Sequence, residues 1–92
     1  MHDQPNQAGD AAAEDLHDQA AVLAQVLSLY PQSVTRAELV RELSGGQAEF
    51  AERDRIDRAL RDLAGSGLVR QVCELVLPTR AAVAFHAISD RL

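Results

Sequence analysis

The chain is 92 residues long, carries nine basic against 14 acidic residues, and has a formal net charge of −5. That length allows one domain with a modest core, and 47% hydrophobic with 3% aromatic residues makes it a core of Leu, Val, Ile and Ala. The composition excludes a transmembrane span, which needs about 18 consecutive apolar residues. It also excludes an intramolecular disulfide, because Cys73 stands alone.

The first residues, MHDQPNQAGD, have neither the basic segment nor the apolar stretch of a secretory signal, and a cytoplasmic location is the simplest expectation. The charge is unevenly placed. Asp3, Asp10, Glu14, Asp15 and Asp18 give residues 1–18 a net −5, whereas residues 19–92 balance nine arginines against nine acids. The body is therefore neutral, without the basic excess that usually marks a nucleic-acid-binding domain.

Residues 1–11 read as a disordered acidic tail and residues 12–92 as the folded domain. From Ala12 the pattern is helical, with Leu16, Ala20, Leu23, Leu27 and Tyr30 recurring at three- and four-residue steps as an inward stripe. Val22, Val26 and Leu29 lie beside it and widen the apolar arc to about half the circumference. Glu14, Asp15 and Asp18 sit in the first turns, where the helix dipole favours anions. Pro31 ends the helix.

A second helix starts after Thr35. Thr35 and Glu38 form the S/T-x-x-E capping box, and Val34 with Leu39 forms the hydrophobic staple around it. Ser44-Gly45-Gly46 stops this helix, and Phe50 reads as an anchor from the following loop into the core. The third helix covers Ala51–Ala64, with Ile56, Ala59, Leu60 and Leu63 inward. Leu68–Val72 and Leu75–Leu77 read as an antiparallel hairpin with Cys73 and Glu74 at its tip. Thr79 caps a fourth helix running to about Arg91, whose stripe is Ala81, Phe85, Ile88 and Leu92.

The order is helix, extended Ser33-Val34, capped helix, third helix, then Gly-Leu-Val into a short hairpin. It resembles the winged helix-turn-helix superfamily over residues 12–92. The most specific block is Arg58-Ala-Leu-Arg-Asp-Leu-Ala-Gly-Ser-Gly-Leu-Val-Arg70, similar to the phrase that ends the recognition helix in many bacterial members. The resemblance implies a mainly α fold with a three-helix core, a short β-hairpin wing and a C-terminal fourth helix. It also implies that the third helix enters the DNA major groove while the wing touches backbone or minor groove.

Carried onto this chain, the resemblance assigns Arg53, Arg55, Arg58 and Arg61 to the recognition helix and Arg70 to the wing. It assigns Arg36 and Arg41 to the second helix, where relatives contact phosphates. The wing departs from the pattern, being very short and acidic at Glu74. Arginine suits bidentate contact with guanine and phosphate. Against this, Asp54–Arg58–Asp62 and Arg53–Asp57–Arg61 have the i,i+4 spacing of a self-neutralised solvent face.

No other residues assemble into a site. Cys73 has no CxxC partner, His17 and His86 lie on different helices, and Gly45-Gly46 lacks the GK[ST] of a phosphate loop. No nucleophile, base and orienting group come together, so neither an enzyme, a metal nor a cofactor is expected. The wide arc of the first helix and the apolar fourth helix imply a homodimer through Val22, Val26, Leu29, Phe85 and Ile88. The sequence thus reads as a small homodimeric winged-helix transcriptional regulator that binds specific double-stranded DNA. The alternative is a winged-helix protein-interaction module that does not bind DNA.

Overall fold

The computed structural model describes residues 7–46 and 49–91, with no side-chain description for residues 7–11. Four helices surround a small antiparallel sheet: α1 (Gln7–Leu29), β1 (Val34–Thr35), α2 (Arg36–Leu43), α3 (Phe50–Gly65), β2 (Val69–Val72), β3 (Leu75–Pro78) and α4 (Arg80–Ser89). The sheet order is β1-β3-β2, so the hairpin gains a third strand from the segment before α2. Val34 pairs with Val76 and Thr35 with Leu75, while Val69 to Val72 run against Pro78 to Leu75.

Helix α1 begins at Gln7, so residues 7–11, expected in the tail, are helical; residues 1–6 lie outside the described residues. Ala8, Ala11, Ala12 and Ala13 have the highest intrinsic helix propensity, which outweighs the single Gly9. Helix α2 follows its local signals closely. The Thr35 Oγ1 accepts the Glu38 N–H at 3.1 Å, and the Thr35 N–H donates to Glu38 Oε1 at 2.8 Å. Val34 and Leu39 are both buried, as the staple requires. Thr79 caps α4 by accepting the Ala82 N–H, and its hydroxyl also donates to the Gly67 carbonyl at 2.8 Å. It thereby ties the start of α4 to the end of α3.

The core joins Val22 and Val26 of α1, Val34 of β1, Leu39 of α2, Leu60 and Leu63 of α3, and Val69 and Val76 of the hairpin. Two expectations for α1 are corrected here. Val22 and Val26, expected between copies, are each 1% exposed inside the single chain, whereas Leu16 is 65% exposed. The buried edge of the α1 arc is the valine edge, which joins the core where α1 packs against α3 and β3. On α4 the inward residue is Ala82, and Phe85 and Ile88 face out at 70% and 59%. Leu92, the last residue of the expected stripe, lies outside the described residues.

Phe50 is a third correction, since it is 84% exposed. It is the first residue of α3, six positions before Ile56, which puts it about 120° around the helix from the core side.

Candidate nucleic-acid interface

Helix α3 buries Ile56, Ala59, Leu60 and Leu63, and the remaining positions form three strips. At about 100° per residue, Arg53 and Asp57 lie toward α2, and Arg55 and Asp62 lie toward α1. Asp54, Arg58 and Arg61 lie between them, facing away from the core.

The acids do not pair along the helix as their spacing implies. Asp57 Oδ1 accepts Arg36 Nη1 at 2.9 Å, bonding α3 to α2 instead of holding Arg53 or Arg61. Asp62 accepts a weak 3.4 Å bond from Gln19 of α1. The expected pair that does form is Arg58–Asp54, at 3.1 Å, with Asp15 of α1 a further 3.5 Å contact of Arg58.

Arg55 is turned onto α1, where Asp18 receives its Nε at 3.1 Å and its Nη2 at 2.8 Å. The hydrogen bonds and charge of Asp18 raise the Arg55 pKa above its ordinary value. Arg36 is raised in the same way, first by its hydrogen bond to Asp57 and then by that carboxylate's charge.

These pairings sort the seven arginines. Arg36, Arg55 and Arg58 are held by acids, whereas Arg41, Arg53, Arg61 and Arg70 have no acidic partner within 4.0 Å among the described residues. Arg41 and Arg53 line, together with Arg36, a depression of about 350 Å³ between α2 and the first turns of α3. Its other lining residues are Ala37, Val40 and Gly46, so no carboxylate borders it among the described residues. Such a cleft attracts a phosphate or another anion.

Arg61 lies about two turns beyond Arg53, on the outward strip of α3 with Asp54 and Arg58. Arg70 lies apart, exposed on β2 opposite Leu77.

The hairpin tip is folded back on the same region. The Arg36 N–H donates to the Glu74 carbonyl at 2.9 Å, and the Glu74 carboxylate lies 3.9 Å from Arg36 Nε. The Glu74 carboxylate thus lies at the edge of the Arg36–Asp57 pair. Phe50 also stands at this surface, although an isolated aromatic after a loop reads as a core anchor. Its 120° offset from Ile56 was the available signal, and it stands exposed one turn before Arg53.

The residues expected between copies separate into two sets. Val22 and Val26 are core, while Leu29, Phe85 and Ile88 are exposed at 37%, 70% and 59%. Cys73 is an exposed thiol at the hairpin turn. No described group of three or more His, Cys, Asp or Glu residues is arranged to hold a metal ion. No helix among the described residues is long and apolar enough to cross a membrane.

Comparison with known proteins finds no matching family model, no similar curated protein and no similar solved structure.

Proposed function

We propose that the chain is a winged helix-turn-helix protein that binds double-stranded DNA and acts as a small transcriptional regulator. The observation that carries this reading is the depression lined by Arg36, Arg41 and Arg53, with no carboxylate among its described lining residues. Supporting the winged-helix reading is a short strand before α2 that joins the hairpin in a β1-β3-β2 sheet, with α3 between them.

In this reading α3 lies in the major groove. Arg41 and Arg53 hold phosphates, Arg61 reaches a base edge, and Phe50 supplies an apolar contact of the kind made to a thymine methyl group. Arg55 has a structural role through Asp18. Arg70 touches backbone from the wing.

The diversion of Asp57 to Arg36 is what favours DNA over a neutral protein-binding face. It leaves Arg53 and Arg61 uncompensated on a helix whose sequence alone is self-neutralised. Gel shifts at low salt with the DNA flanking the gene test the reading. Arg53→Ala and Arg61→Ala should each weaken binding by roughly five- to a hundredfold, equivalent to about 1–3 kcal/mol, while Arg55→Lys should have little effect. Equal losses from all three substitutions would count against this assignment of roles.

A further inference from the structure

Of the α1 stripe, Leu16 and Ala20 are exposed, and Leu23 and Leu27 are half-buried, Leu23 lying against the edge of the core. Ala20, Leu23 and Leu27 enclose, with Leu68, Ala82 and Phe85, an apolar groove of about 370 Å³ between α1 and α4. Leu16 stands beside the groove on α1 and Ile88 on the outer side of α4, both largely exposed. An uncovered apolar face of this kind on so small a domain marks a contact surface.

We propose that a second copy of the chain docks on the outer face of α4 beside this groove, with α4 packed antiparallel to α4 of the partner across a two-fold axis and Phe85 shared by the groove and the seam. The pattern on α4 is what selects a second copy. Ala81, Ala84, Phe85 and Ile88 are all exposed and follow an i, i+3, i+4, i+7 stripe. With the axis between positions 84 and 85, Ala84 faces the partner's Phe85 and Ala81 faces the partner's Ile88. Each large side chain meets an alanine, as close packing requires.

An isologous contact demands that one patch supply both the projections and the recesses, and this stripe does. None of its four residues is charged, so no like charges are brought together at the seam. Helix α4 alone, about 15 Å long, is too small for the roughly 800 Å² per partner of a standard interface. The adjoining exposed Leu16 of α1 adds apolar surface to that face. The remaining expected contact, Leu29, is on a different side of α1 and is not part of this surface. The inference does not rest on DNA binding, since a dimer that ignores DNA leaves it intact.

Sedimentation equilibrium of the full chain tests it. The expected result is a monomer–dimer equilibrium in which Phe85→Glu and Ile88→Glu each weaken association at least tenfold, about 1.4 kcal/mol, with unchanged far-ultraviolet circular dichroism. Both residues are exposed in the monomer, so folding should survive either change. A second readout fixes the geometry. On a Cys73→Ser background, Ala84→Cys should oxidise to a disulfide-linked dimer, because position 84 lies near the axis, whereas Ala64→Cys on α3 should not. A chain that stays monomeric at high concentration would overturn the proposal. So would a dimer indifferent to Phe85→Glu. Saturable binding of the apolar dye anilinonaphthalene sulfonate by a persistent monomer would assign the groove to a small ligand instead.

Discussion

Arg55 and Asp18 join α3 to α1 through two parallel hydrogen bonds, Nε to Oδ2 at 3.1 Å and Nη2 to Oδ1 at 2.8 Å. The fork geometry is that of a strong arginine–carboxylate pair, and the Asp18 side chain is only 15% exposed while that of Arg55 is half exposed. Solvent screening of the guanidinium limits the coupling to about 1 kcal/mol. A double-mutant cycle with Asp18→Ala and Arg55→Ala in urea should return an interaction energy of roughly that size. Additive effects would mean that the pair does not fasten the two helices.

The capping box of α2 gives a pH-dependent prediction. The Glu38 pKa is lowered, first by the hydrogen bond from the Thr35 amide and then by that from its hydroxyl. A carboxylate whose native pKa lies below its unfolded value stabilises the fold fully above the ordinary glutamate value of about 4.3. That contribution is lost as pH falls through the lowered native value. Thermal melts between pH 6 and pH 3 should therefore show a smaller acid loss for Glu38→Gln, whose amide oxygen still accepts but does not titrate. Thr35→Ala should cost about 1 kcal/mol at neutral pH. Identical acid profiles for Glu38→Gln and the unchanged chain would contradict the assignment.

That box was readable in the sequence because both partners lie within one turn, and no distant packing can override a contact three residues long. The inward side of α1 was not readable. Its apolar arc covers about half the helix, and hydrophobicity does not distinguish Val22 and Val26 from Leu23 and Leu27. The surfaces of α3 and β3 decide between the two edges, and they come from residues far along the chain. The arginine pairs failed for a related reason. Asp57 has arginines four residues away on both sides, yet Arg36 of α2 reaches it at 2.9 Å across the packed helices. Sequence spacing ranks neighbours on one helix and contains nothing about a neighbour on another.

The hairpin turn stores strain that a substitution should release. Cys73 has φ 56°, in the left-handed region, and the register leaves only Cys73 and Glu74 to connect β2 with β3. That conformation costs an L-residue about 1–2 kcal/mol, against roughly 0.5–1 kcal/mol of extra unfolded-state entropy for glycine. Cys73→Gly should therefore gain about 0.5–1 kcal/mol and raise the melting temperature by roughly 2–8 °C. Cys73→Val, β-branched at the same φ, should lower it. A melting temperature that falls in the glycine variant would show that the thiol makes a contact worth more than the strain.

The most direct test of the DNA-binding account is the salt dependence of affinity for a pool of random DNA duplexes, measured by fluorescence anisotropy between about 50 and 200 mM salt. On random duplexes, where Arg61 meets backbone in place of its specific base edge, Arg41, Arg53, Arg61 and Arg70 predict about four phosphates neutralised. Log affinity should then fall linearly with log salt at a slope near −3.6, and the Arg41→Ala/Arg53→Ala double variant should flatten it by about 2. Absence of binding at the lowest salt, or a slope near zero shared by the double variant, would contradict the account.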